Sequence, residues 1–133
     1  MKFQFNTIIG IFGGIATFLW GGFPFVMQML VYFAVVDYVT GMYSAYITKT
    51  LSSSTGFRGI IKKIFMFFIC SLAYWIDILT GADGVLFSVV VFWYIGNEGL
   101  SIIENAIESG LKVPDKLKDA IQILVDGGED NEN

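Results

Sequence analysis

Histidine is absent from the 133 residues, and cysteine occurs once, as Cys70. The first absence removes the commonest neutral-pH general base and the commonest metal ligand together. The second leaves no thiol to pair with and no thiolate metal site. Charge is also scarce, at 15% of residues, and a net charge of −4 offers no basic footprint for nucleic acid. With no nucleophile–base pair and no metal-ligating cluster, the chain reads as a non-enzyme without catalytic, cofactor-binding or metal sites.

What is abundant is apolar surface. Hydrophobic residues make up 55% of the chain, aromatic residues 17%, and the mean hydropathy is +0.67, too apolar for an ordinary soluble domain of this length. Most of the charges are gathered in residues 48–63 and from residue 104 onward. This segregation argues against a soluble bundle, whose helices would each carry a charged face. Four apolar segments, roughly 7–23, 25–47, 60–79 and 85–107, are each near the ~20 residues needed to cross a bilayer. The fold expected is therefore an all-α integral membrane protein with about four transmembrane helices, residues 1–110, followed by a short amphipathic helix.

The first two segments are separated only by "GGFP" at 21–24, where the glycines end one helix and Pro24 can begin the next. A tight helical hairpin is expected, with a long kinked helix or a re-entrant element as the other arrangements. Residues 1–23 do not read as a cleaved leader, because Trp20 and Phe23 stand where small residues are wanted. Trp20, Phe23 and Phe25 suit the outer interface.

Orientation follows from the distribution of cations. The segment "TKTLSSSTGFRGIIKK", 48–63, carries Lys49, Arg58, Lys62 and Lys63 and no acid, whereas "TGADG" at 80–84 carries only Asp83. The basic loop is expected to be cytoplasmic, meeting headgroups or acidic side chains, and four crossings then put both termini on the cytoplasmic side. Its glycines and hydroxyls lack the spacing of a phosphate-binding loop. Beyond Gly110, "VPDKLKDAIQILV" places Val113, Leu117, Ala120, Ile121 and Leu124 at helical spacing. Residues 111–125 form the amphipathic helix, lying on the inner leaflet or packing on a partner helix, and 126–133 form a disordered acidic tail.

Two polar stripes interrupt the apolar segments. Asp37, Thr40, Gly41, Ser44 and Thr48 share one face of the second helix, and Asn97, Ser101, Glu104, Asn105 and Glu108 share one face of the fourth, with Glu98 at its edge. An acidic side chain at the bilayer centre costs about 2.5–3.5 kcal/mol on insertion scales. The stripes should consequently face each other, another subunit or water, dry when packed and charged when hydrated. Pore-facing or helix-contact candidates are Asp37, Thr40, Ser44, Asn97, Glu98, Ser101 and Asn105. The same residues also suit plain interhelical contact worth ~0.6–2 kcal/mol each. Glu104 and Glu108 read as solvated charge or as partners of Lys62 or Lys63. Gly10 and Gly14 form a G-x-x-x-G for close helix packing, and Gly41 on the polar face is a further close-packing candidate. Asp77 reads as an interfacial residue.

"DYVTG" at 37–41, "SSSTGFRGIIKK" at 52–63, "NEGLSIIENAIESG" at 97–110 and "VPDKLKDAI" at 113–121 together resemble the toxin-secretion and phage-lysis holin family. The order and spacing of these blocks, over residues 31–122, carry the resemblance; residues 1–30 carry no motif of that family. It implies a protein that accumulates in the bacterial cytoplasmic membrane, forms homo-oligomers and opens lesions that release an endolysin, a functional and not necessarily physical partner. It also implies pore-facing or subunit-contact roles for Asp37, Asn97 and Glu98. Two other readings stand beside it: a small selective ion or proton conduit using the intramembrane carboxylates, and a non-conducting scaffold that recruits a partner through the carboxy-terminal helix.

Overall fold

In a computed structural model, which describes residues 1–129, the chain forms five helices and no strand among the described residues. They are α1 (Lys2–Trp20), α2 (Phe25–Ile47), α3 (Ser53–Thr80), α4 (Val85–Glu108) and α5 (Asp115–Glu129). The first four are long and apolar enough to cross a membrane. Their outward surfaces carry large exposed apolar side chains such as Phe12, Tyr32, Val39, Phe65 and Phe92, which suits hydrocarbon and not water. The chain is a multi-pass, all-helical membrane protein.

Helix α4 is the centre of the bundle. It packs on α2, α3 and α5, while α2 touches α3 only slightly and α1 touches α3 alone. Each core face is a stripe at three- and four-residue steps. On α2 it runs Met27, Leu30, Ala34, on α3 Met66, Cys70, Ala73, Asp77, and on α4 Phe87, Val91, Ile95, all buried. Turns 21–24 and 81–84 close one end, called here the GGFP end. The turn after α2 and the connection after α4 form the other, the basic end, with Lys49, Arg58 and Lys112 exposed there.

Three expectations change. No tight hairpin forms between α1 and α2, because α1 makes no close approach to α2. Gly21 ends α1 in the left-handed conformation (φ 75°) and lies so close to the Tyr74 ring that a Cβ there would stand 2.6 Å from it, which draws the end of α1 to α3. Trp20, expected at the outer interface, is half-buried and donates from Nε1 to the Phe67 carbonyl at 3.2 Å. Every side chain from Met1 to Ile15 remains exposed, and a Cβ at Gly10 or Gly14 would meet nothing within 4 Å. Their expected role in close packing is therefore unfilled within one chain.

Second, α3 starts at Ser53, not near residue 60, so Arg58 is helical and Lys62 and Lys63 lie well inside the helix and not in its first turn. The Ser52 hydroxyl accepts from the Thr55 N–H at 3.1 Å, satisfying one of the free donors that a helix start exposes. The basic "loop" is thereby reduced to the few residues after α2. Third, the acidic tail is helical through Glu129; residues 130–133 lie outside the described residues.

Candidate functional site

The apolar stripes of α2, α3 and α4 do not end at the middle of the bundle. They continue toward the basic end with polar residues in the same register. Asp37, Gly41 and Ser44 follow Ala34 on α2, Lys63 precedes Met66 on α3, and Glu98 and Asn105 follow Ile95 on α4. The core face is thus apolar at one end and polar at the other.

Lys63 sits between the two acids. Its Nζ donates to Asp37 Oδ2 at 2.7 Å and to Glu98 Oε2 at 2.6 Å. The three side chains are only 17%, 15% and 13% exposed, so one ammonium faces two carboxylates with little help from solvent. Charge-assisted bonds of this length are strong where no water competes. The sequence alone groups Lys63 with the other cations of 48–63 and gives these acids no partner cation. Its register with Met66 and Cys70 puts it on the face of α3 that α4 covers.

Asn105 ties the cluster to α2. Its Nδ2 donates to Asp37 Oδ1 at 3.0 Å, to Thr40 Oγ1 at 3.0 Å and to the Asp37 carbonyl at 3.2 Å. Thr40 can accept because its own proton goes back to the Val36 carbonyl at 2.7 Å. A Cβ on Gly41 would stand 3.4 Å from Asn105 Nδ2, so the glycine admits the amide. One turn nearer the basic end, Ser44 Oγ donates to Glu108 Oε2 at 2.5 Å. A cavity of about 480 Å³ lies beside the cluster, lined by Asp37, Lys63, Glu98 and Ser101 together with Tyr38 and Trp93.

Other candidate residues stand apart from the cluster. Neither Glu104 nor Glu108 pairs with Lys62 or Lys63; Glu108 takes the Ser44 proton and Glu104 is exposed. Asn97 donates to the Trp93 carbonyl of its own helix at 3.0 Å, and Thr48 bonds back to the Ser44 carbonyl at 3.0 Å; neither bond crosses between helices. Lys49 and Arg58 are exposed at the basic end, and Lys62 is exposed at the mouth of the cavity.

Asp77 lies near the GGFP end of α3, as expected, but is only 3% exposed, and its carboxylate accepts from the Leu86 N–H at 3.2 Å and the Phe87 N–H at 2.8 Å. It caps α4 from a neighbouring helix, a role open because Gly84 brings no side chain to that position. The signal was present: Lys63, Met66, Cys70, Ala73 and Asp77 recur at steps of three and four, so both ionisable residues belong to the buried face of α3.

The sequence profile of the bacteriophage holin family matches residues 14–126. The chain belongs to the bacteriophage holin family. Its similarity to individual relatives spans most of both chains. An uncharacterised protein of Listeria monocytogenes is 38% identical over 122 residues, 91% of this chain and 87% of the relative. The Bacillus subtilis protein YqxH is 34% identical over 87% of this chain and 82% of its own. A protein of Bacillus phage phi105 named "probable holin" is 34% identical over 80% of this chain and 78% of its own. No solved structure matches. The family match begins within α1, at residue 14, and takes in the whole cluster as well as most of α5. In this holin-family chain the polar face is therefore inside the matched region, and the unpacked first turns of α1 are outside it.

Proposed function

We propose that the chain acts as a holin: it accumulates in the bacterial cytoplasmic membrane, forms homo-oligomers and opens lesions through which an endolysin, or a secreted toxin, leaves the cell. The basic end lies in the cytoplasm, as its exposed lysines and arginine favour, and four crossings place both termini there. Family membership and the phage relative support the role.

The observation that carries the mechanism is the closure of the Asp37–Lys63–Glu98 cluster inside one subunit. A closed cluster keeps the charges of Asp37, Lys63 and Glu98 away from lipid while subunits accumulate. Its bonds can be exchanged for water or for a neighbouring subunit, turning the same α2 and α4 faces into a polar wall. The event is a population shift that needs a differential gain in the assembled state.

The test is lysis timing with an endolysin co-expressed from an inducible promoter. Asp37→Asn and Glu98→Gln should each shift lysis onset at matched membrane levels. Unchanged onset in both would count against the cluster as the closure.

A selective ion or proton conduit is the second reading, favoured by the cavity that reaches the three charges. Release of an entrapped protein-sized dextran supports the holin reading, whereas ion flux without dextran release supports the conduit. A scaffold acting through α5 has less support, because Ile121 and Val125 of its apolar face are already taken up against α4.

A further inference from the structure

Helix α5 runs antiparallel to α4. Ile121 lies over Gly99, where a Cβ would stand 3.1 Å from Cδ1, and Leu124 and Val125 lie over Gly96, where a Cβ would stand 3.0 Å from Leu124 Cβ and 3.3 Å from the Val125 nitrogen. At Gly96 the crowding includes backbone and at Gly99 only the Ile121 side chain, so the two glycines let α5 seat closely on α4. Gly96 stands at the midpoint of α4, so α5 reaches from the basic end to half the depth of a helix that spans the membrane. Its outward side carries Asp119, Gln122 and Asp126, all exposed, beside the exposed Ile123, and Gln122 Nε2 donates to Asp126 Oδ1 at 2.8 Å across that surface.

This position is incompatible with lipid on the outward side of α5. An aspartate beside the middle of a membrane span is among the least tolerated residues in hydrocarbon, and the glycine groove offers it no partner. The same placement suits water, with apolar side chains against α4 and carboxylates in solvent. Off α4, the helix has the makeup of one that lies in the headgroup region, with Lys116 and Lys118 beside its apolar face.

We infer that α5 is a strap with two seats, closing onto the Gly96–Gly99 groove of α4 when that face is hydrated and lying on the membrane surface when α4 faces lipid. The inference rests on the holin reading for the event that brings water to α4, and it makes α5 part of the wet lining.

The strap is tested by disulfide trapping in full-length protein carrying Cys70→Ala. The pair Gly99→Cys and Ile121→Cys removes the crowding isoleucine atoms as it adds the thiols. Gly96→Cys with Leu124→Cys is a second pair should the first not fold. The protein is reconstituted in phosphatidylethanolamine–phosphatidylglycerol vesicles holding a fluorescent dextran and oxidised at rising protein density. Cross-link yield should rise several-fold at the density where dextran escapes. Adding Asp119→Leu and Asp126→Leu should raise the yield below that density without release, because an apolar outward face can seat in lipid. Equal yield at all densities, or no response to the leucines, would overturn the strap. Should the protein release no dextran at any density, the lesion reading fails, and the leucine comparison alone decides the strap.

Discussion

The two halves of the helix bundle share one geometry and differ in chemistry. Toward the GGFP end, Met27, Leu30, Cys70, Phe87 and Val91 interlock without a polar atom among their side chains other than sulfur. Toward the basic end, the same faces meet through Asp37, Lys63, Glu98 and Asn105. In lipid the apolar half gains nothing from leaving water and is held by close packing alone. The polar half is held by directed bonds that hydrocarbon cannot replace. Water reverses the order: it drives the apolar faces together and competes for every bond of the polar half. Wetting should therefore open this bundle first at its polar end, with the apolar end keeping the helices joined.

The largest difference between the halves is expected on removing the cation. Lys63→Met leaves two carboxylates 13–15% exposed with nothing between them, and loss of one partner of a buried ion cluster costs about 3–5 kcal/mol. Unfolding of purified protein in mixed micelles should show that loss. Adding Asp37→Asn and Glu98→Gln to Lys63→Met should recover most of it, since a neutral polar cluster leaves no charge unpaired. If Lys63→Met alone unfolds like wild type, the polar half is not held by the cluster. In the apolar half, Leu30→Ala or Val91→Ala should cost about 1–3 kcal/mol, below the range for soluble cores because only the packing and cavity part applies in lipid.

The same contrast explains what could be read from the residues beforehand. Long apolar segments fix the number of spans and the α2 and α4 boundaries closely, because hydropathy and bilayer thickness act on whole helices. The polar faces of α2 and α4 also stand out, since Asp37 and Glu98 interrupt apolar sequence. Lys63 did not stand out, because a lysine beside Lys62 and Arg58 looks like every other cation of a cytoplasmic segment. What distinguishes it is its register with Met66 and Cys70, a pattern that lies within the segment 60–79 but does not by itself say which helix face is covered. The failure at α1 has another origin. Its hydropathy suits a span, but nothing in a single sequence says that Gly10 and Gly14 will find no neighbour in their own chain.

Asp77 refines the comparison, because it is the one buried acid at the apolar end. Asp77→Ala frees two amides at the start of α4 and should cost about 1–2 kcal/mol, the usual range for a lost cap. Asp77→Asn, which keeps one acceptor, should cost less. Neither should alter lysis timing as Glu98→Gln does at matched membrane level, since this carboxylate serves a helix terminus and not the closure between helices.

The smallest effect belongs to Asn105, and its size decides how the polar half works. Its amide reaches Asp37 and Thr40, so Asn105→Ala removes only neutral-donor bonds and should cost ~0.6–1.7 kcal/mol, the span measured for interhelical bonds in membranes. A double-mutant cycle between Asn105→Ala and Lys63→Met separates two possibilities, both substitutions acting on Asp37. If Asp37 is held mainly by Lys63, the cost of Asn105→Ala should grow in the Lys63→Met background, where the amide is the last donor to that carboxylate. Strict additivity would mean that the ion pair and the amide act as separate contacts, and that water could release the α2–α4 contact one bond at a time instead of in a single cooperative opening.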